Sequence, residues 1–300
     1  MTRTPNNPPH NARRYLGPAG PLGFHASIAG GPANAPAHAR RLGARAMQIF
    51  TRSPRMWRAA PISRDGAAAF RAEVARLELT AVVAHAIYLL NLASSDDALW
   101  RRSIDAFVDE IERCALLGID RIVIHPGSRG EQTVVRGLRR VLRALTEVTR
   151  RTRQTGVKVL LETTAGAGAS LGARIDELAW LIDRHPQPER LGLCLDSCHL
   201  FAAGYPLHEP DGLDRLLAEI DDAVGTTKIE CLHLNDSKGE FASRVDRHAR
   251  LGQGHIGEDF FRRLMREPRL FGVPKLLEVP GGDEAFAGDL RLLARLAARQ

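Results

Sequence analysis

The sequence predicts an α/β protein, a closed barrel of parallel strands with helices outside, in a single domain. Three observations predict it. Strand-like and helix-like segments alternate about eight times with no long gap. Most of the strand-like runs are apolar throughout, as strands are when helices cover both faces of their sheet. The 300 residues run without a shift in composition or a close repeat that would divide the chain. About eight βα units in one domain is the count of a TIM (β/α)8 barrel, at a typical length of about 250 residues. A doubly wound open sheet is the second choice.

The elements follow in order. Leu22 to Ser27 reads as a strand, Gly30-Gly31 breaks it, and Asn34 to Leu42 reads as a short helix. Ala46 to Phe50 is the second apolar run, and the loop TRSPRMWRAAP leads to a helix over Ala67 to Leu77. Ala81 to His85 is strand-like. The clearest helix covers Ala98 to Leu117: Trp100, Ile104, Phe107, Val108, Ile111 and Ala115 share one face, Ser94 or Ser95 caps it, and Gly118 ends it. Ile122 to His125 is an apolar run closed by a Pro-Gly turn. The helix from Val134 to Arg153 is expected to bury Val134, Leu138, Val141, Leu142 and Leu145, with an Arg-rich face in solvent. Four strand–helix pairs remain: Lys158 to Glu162 with Ala173 to Asp183, Leu191 to Asp196 with Leu213 to Val224, Ile229 to Asn235 with Glu258 to Arg266, and Lys275 to Val279 with Glu284 to Arg299.

Composition narrows the partners. Hydrophobic residues at 44% and charged residues at 26% fit a globular chain that can bury a sizeable core. A net charge of +7 favours a polyanionic partner. The four Cys (Cys114, Cys194, Cys198, Cys231) form no paired framework and are expected to be buried reduced thiols, with Cys194 and Cys198 turned away from Asp196. No run of about 18 apolar residues is present, so no membrane span is expected. Residues 1–20 lack the apolar core of a secretory signal and read as a disordered arm, leaving 21–300 as the barrel domain in a cytoplasmic protein.

Chemistry gathers at the strand ends. His85, His125, Glu162 and Asp196 close their runs, and His199 lies one helical turn beyond Asp196. His233 ends IECLH, Asp246 and His248 lie in the loop after it, and Glu278 ends the last run. In an extended segment Asp246 and His248 face one way and Arg247 the other. In a TIM barrel these ends converge on the face where active sites sit. Five His, two Asp and two Glu are too many ligands for one ion and suit a cluster of two or three with open positions. A lone His at a strand end is more often a core residue; nine such groups on one face are hard to ascribe to chance. GAGASLG, at 166–172, resembles a dinucleotide-binding loop, but Leu171 stands where the third small residue belongs; it reads as a tight βα loop.

AHAIYLLNLAS, IHPGSR, ETTAGAGASLG, GLCLDSCHLFAAGY and HLNDSKGEFASRVDRHARLGQGHIG resemble the signature segments of the endonuclease IV family, metal-dependent apurinic/apyrimidinic endonucleases of base-excision repair. The resemblance runs from about Leu22 to Glu278. It implies three Zn2+ per chain. His85, His125 and Glu162 resemble the ligands of the first ion. Glu162 bridges to a second, also held by Asp196, His233 and Glu278. His199, Asp246 and His248 hold the third. Departures are Ser197 where Thr is usual, Phe24 before His25, and VPGG after Glu278. Arg55 matches an Arg that enters the DNA helix, and Tyr88 and Leu89 match the other inserted side chains.

The activity implied is hydrolysis of the phosphodiester 5′ to an abasic site in duplex DNA, leaving a 3′-hydroxyl and a 5′-deoxyribose phosphate, with cleaning of blocked 3′ ends at the same site. Zinc lowers the pKa of bound water toward ~7. Glu162 and Glu278 are the residues expected to carry catalysis, the role of Glu278 being orientation or deprotonation of the nucleophile. A monomer is expected. Two alternatives stand beside this reading. One is a single-metal sugar isomerase or epimerase using Glu162, Asp196, His233 and Glu278, which leaves the other His and Asp246 without a task. The other is a non-catalytic DNA-damage binder, which needs no intact ligand set.

Overall fold

The computed structural model describes residues 20–298; most of the arm expected over residues 1–20 lies outside the described residues. The barrel strands are β1 (Leu22–His25), β2 (Ala46–Phe50), β3 (Ala81–His85), β4 (Arg121–Ile124), β5 (Lys158–Glu162), β6 (Leu191–Asp196), β7 (Ile229–His233) and β10 (Lys275–Leu277). They pair in parallel, each with its neighbour, and β10 closes on β1. The predicted closed barrel is the observed fold, and the open sheet is excluded. Two further short strands, β8 (Asp236–Ser237) and β9 (His248–Ala249), form an antiparallel ribbon in the loop after β7.

The helices outside are α1 (Ala35–Arg41), α2 (Arg64–Arg76), α3 (Asp97–Leu117), α4 (Val134–Arg151), α5 (Ile175–Arg184), α6 (Ser197–Ala203), α7 (Gly212–Val224), α8 (Glu258–Arg266) and α9 (Gly282–Ala297). Helix α3 stops at Gly118, whose φ of 74° is the left-handed conformation glycine tolerates. Its N-cap is neither Ser94 nor Ser95 but Asp96, whose carboxylate accepts from the amides of Ala98 and Leu99. Ser94 Oγ instead accepts from the Asp96 amide at 3.2 Å, which holds the cap in place. The apolar stripes face the strands with two exceptions. Val134 is exposed at the open start of α4, and Ala115 is exposed at the edge of the α3 stripe. No described helix is long and apolar enough to cross a membrane.

The four Cys are free and buried. Cys194 does not turn away from Asp196 as expected. Residues two apart share a face of a strand, so Cys194 points into the barrel below Asp196. There it joins Ala46, Val83, Val123, Leu160, Cys231 and Leu276 in a fully buried apolar plug.

Candidate metal centre

Two residues further along each barrel strand, the same inward alternation reaches the C-terminal rim. The positions there are His25, Gln48, His85, His125, Glu162, Asp196, His233 and Glu278. A polar ring therefore sits on an apolar plug. The ring includes two residues that the sequence reading passed over, His25 and Gln48. Neither resembles a ligand at the close of a long apolar run, but strict alternation, read on β1 and β2 as on the others, reaches both.

Glu162 lies at the centre of the ring and is fully buried. Its Oε2 is 3.0 Å from His85 Nε2 and 2.8 Å from His125 Nε2. Its Oε1 is 2.8 Å from His233 Nδ1 and 3.6 Å from His199 Nδ1. His233 Nδ1 also lies 3.9 Å from Asp196 Oδ2 and 3.6 Å from Glu278 Oε2. On the far side Asp246 reaches His199 Nε2 at 3.1 Å and His248 Nε2 at 3.2 Å, and His248 Nε2 is 3.7 Å from Asp196 Oδ2. Potential donor atoms group as His85, His125 and Glu162; as Glu162, Asp196, His233 and Glu278; and as Asp196, His199 and His248, each group within 4.8 Å. All nine residues singled out as ligands from the sequence are thus brought together. The grouping differs in two ways: Asp196 stands between the second and third sets, and Asp246 groups with His248 and Cys198.

Local structure explains the placement. The Asp196 carboxylate caps α6, accepting from the His199 amide at 2.9 Å, so the cap fixes His199 one turn on. The ribbon β8–β9 delivers Asp246 and His248 and leaves Arg247 exposed. Asp236 folds the glycine-rich loop beyond it: Oδ2 accepts from the amides of Gly252 and Gly254, and Oδ1 from Ile256. A Cβ on Gly254 would stand 2.3 Å from Ser237 O, so this close approach requires glycine.

The ring nitrogens show what the cluster is built for. His85 Nδ1 donates to Ala86 O at 2.7 Å, His199 Nδ1 to Thr163 O at 2.8 Å, and His248 Nδ1 to Glu278 O at 3.1 Å. A carbonyl can only accept, so these contacts place the proton and leave Nε2 facing the carboxylates. His233 is reversed: Nε2 faces Gln48 Oε1 at 2.8 Å and Nδ1 faces the acids. This is the arrangement that orients metal-ligating imidazoles. Nε2 of His125 and of His248 are buried close to carboxylate oxygens but not in hydrogen-bonding orientation to them. The residues therefore fit a metal cluster.

Charge points the same way. Burial works against an ionised Glu162, yet His125 and His233 hold its carboxyl well below the ordinary range. Burial likewise opposes a charged His199, but Asp196, Asp246 and Glu162 push it up to about 10. His248 is raised to about 9 against burial, chiefly by Asp196 and Asp246. Carboxylates this close together demand positive charge between them, and divalent ions supply it.

Around the centre, Glu278 Oε1 is held by His25 Nδ1 at 2.9 Å and Gln48 Nε2 at 2.6 Å. A cavity of about 630 Å3 opens beside it, lined by Tyr88, Leu89, Asn91, Ser128, Ala167 and Asp246 among others. Gly127 in its wall has φ of +110°, and a Cβ there would meet Asn91 Oδ1 at 2.3 Å. Tyr88 is 63% exposed, its ring edge-on to Phe50 at 5.4 Å. Arg55 is exposed in the loop after β2, beside Met56, and Leu89 is half-buried. A second groove of about 670 Å3, between α3 and α4, is lined by pairs such as Arg151–Asp105 and gathers no converging donors.

A (β/α)8 barrel with histidines and acids massed at its C-terminal rim defines a class. The profile of the xylose isomerase-like TIM barrels matches residues 36–296. Within that class the chain belongs to the endonuclease IV family. It is 45% identical over 278 residues to a probable endonuclease 4 of Chloroflexus aurantiacus, covering 92% of this chain and 96% of that protein. A probable endonuclease 4 of Chloroflexus aggregans is 44% identical over 286 residues, covering 92% and 99%. The crystal structure of endonuclease IV from Thermus thermophilus superposes with a TM-score of 0.82 at 40% identity, over 92% of this chain and 98% of that one. A D-tagatose 3-epimerase-like protein shares the fold, with a TM-score of 0.71 at 18% identity.

Proposed function

We propose that this protein is a zinc-dependent apurinic/apyrimidinic endonuclease of DNA repair. It hydrolyses the phosphodiester 5′ to an abasic site and leaves a 3′-hydroxyl and a 5′-deoxyribose phosphate; the same site removes blocking groups from 3′ ends. The observation that carries this reading is the nine-residue donor set around Glu162, whose imidazoles each turn one ring nitrogen toward shared carboxylates. One ion uses at most a handful of these donors, and three use them all. His85, His125 and Glu162 would hold the first. Glu162, Asp196, His233 and Glu278 would hold the second. His199, Asp246 and His248 would hold the third, with Asp196 close to both of the latter sets.

Zinc, when bound, supplies Lewis-acid charge to the phosphodiester and acidifies water. The protein supplies position. Glu162 offers one oxygen to the first set and one to the second, so the two sets keep a fixed separation. Glu278 has Oε1 taken by His25 and Gln48, which turns Oε2 toward the second set, where it would orient the attacking water. An abasic nucleotide has no base to unstack, so it swings out at low cost. Arg55, Tyr88 and Leu89 fill the gap it leaves, and the exposure of Arg55 and Tyr88 suits that work. The partner is duplex DNA, the acting form a monomer, and the site of action the cytoplasm.

The test is incision of a duplex carrying one tetrahydrofuran abasic analogue, beside the same duplex undamaged. A cut only 5′ to the analogue, with a 3′ end that a polymerase extends, is expected. No cut by zinc-loaded protein, or equal cutting of both duplexes, overturns the proposal.

A further inference from the structure

We propose that the buried Glu110 carboxylate is the joint that sets the spacing of the two DNA-inserting loops, making Glu110 and Arg52 positioning residues for recognition of the lesion. The inference rests on the reading of Arg55 and Tyr88–Leu89 as inserted side chains. It begins from a buried ion pair that the metal chemistry does not use. Glu110 and Arg52 are both buried, and Arg52 Nε lies 3.2 Å from Glu110 Oε1. Arg52 belongs to the loop after β2, three residues before Arg55. The other oxygen, Glu110 Oε2, accepts from the Ile87 amide at 3.2 Å, one residue before Tyr88. One carboxylate on α3 thus takes a hydrogen bond from one loop and pairs its charge with the other.

The surrounding contacts stiffen the same connection. Arg52 Nη1 donates to Trp57 O at 2.9 Å and Nη2 to Ala106 O at 3.0 Å, so a single guanidinium ties both sides of Arg55 to α3. Arg113, also on α3, donates to Thr51 O at 2.7 Å and to Ala60 O at 2.9 Å, gripping the loop at both ends. Arg102 stacks over Trp57 at 4.2 Å. On the other loop, Ser103 Oγ accepts from the Asn91 amide at 3.0 Å. Helix α3 is therefore a splint common to both loops, and among the described residues of α3 Glu110 touches both with one functional group. Two insertion tips must enter one gap in the stack, so their separation has to be set before binding; ordering them afterwards would weaken affinity.

Glu110→Gln tests this. A glutamine keeps an oxygen on one side of its amide only, so its NH2 must face either Arg52 or the Ile87 amide, and one loop loses its partner. In zinc-loaded protein, KM for the abasic duplex should rise about 10-fold, the effect of losing one hydrogen bond to a charged group. Zinc content and hydrolysis of bis(p-nitrophenyl) phosphate, which needs no insertion, should not change. Arg102→Ala, which leaves no buried group unpaired, should shift KM the same way by less, and guards against a Gln variant that fails to fold. The decisive comparison is Glu110→Gln added to Arg55→Ala/Tyr88→Ala. With the tips gone their spacing is immaterial, so the triple variant should match the double. An unchanged KM in Glu110→Gln, an equal loss on the small diester, or a triple variant worse than the double by the full single effect would overturn the proposal. Wild-type incision by Arg55→Ala/Tyr88→Ala alone would instead overturn the insertion reading, without any change at Glu110.

Discussion

Gln48→Ala should weaken zinc binding although Gln48 is no ligand. Its amide makes three contacts in the ring: it faces His233 Nε2 at 2.8 Å, Glu278 Oε1 at 2.6 Å and His25 Nδ1 at 3.0 Å. His233 is fully buried, so without Gln48 no water replaces the acceptor for its Nε2–H. The imidazole then favours its other tautomer, with the proton on Nδ1 pointing at Glu162 Oε1, 2.8 Å away. That tautomer cannot bind metal through Nδ1. Leaving a buried donor unpaired costs about 1–3 kcal/mol. Loss of a group that orients a metal ligand weakens affinity by about 10- to 100-fold, which is about 1.4–2.7 kcal/mol. The two routes agree. Competition with a chromophoric chelator should show one class of zinc weakened by that factor, and excess zinc should restore most incision. Gln48→Glu keeps an acceptor for His233 but sets a second negative charge beside Glu278, so it should recover little. A zinc isotherm identical to wild type refutes the reasoning; incision lost at full zinc content would make Gln48 a substrate contact instead.

Other expectations are equally direct. Glu162→Gln should keep the barrel's circular dichroism and lower abasic incision at least about 10^3-fold, the rate equivalent of about 4 kcal/mol of metal-assisted stabilisation; wild-type incision by this variant would end the bridging role. Duplex affinity should fall with salt at a log–log slope of about −0.9 per phosphate neutralised, as the net charge of +7 suggests; an affinity flat with salt argues against a DNA duplex. Lys275 is buried, and burial lowers its ammonium from 10.5 to about 8. Between those values the unfolded chain holds a proton that the folded chain lacks, so stability should rise with pH across that window, by about 3 kcal/mol. Denaturant unfolding at pH 7 to 10.5 checks this, and Lys275→Met should lose that part of the slope; parallel slopes in both proteins would contradict it.

Much of the architecture was legible because it repeats. The β5 and β6 boundaries coincide with the apolar runs that predict them, and β7 and β10 end two residues early where the chain leaves the sheet to carry Asn235 and Glu278. What escaped has a physical reason. Helix α6 is one short segment whose N-cap, Asp196, also belongs to the site, so it offers no apolar period to read. The β8–β9 ribbon has two-residue strands, and the loop beside it is folded by the Asp236 carboxylate accepting from amides 16 to 20 residues away, a contact no local pattern encodes. Gln48 escaped because it is no metal ligand by type, and His25 because it lies inside the run Leu22 to Ser27, not at its close. Cys194 was misplaced because the alternation that puts Asp196 inside puts Cys194 inside as well.

The claim that three ions share this rim is tested most directly by native mass spectrometry of the zinc-reconstituted chain, which counts bound metal without reference to any substrate. A dominant species carrying three zinc ions is expected, falling to two or fewer in His199→Ala. A wild-type chain that saturates at one divalent ion would contradict it and would return the barrel to the single-metal chemistry of an isomerase or epimerase.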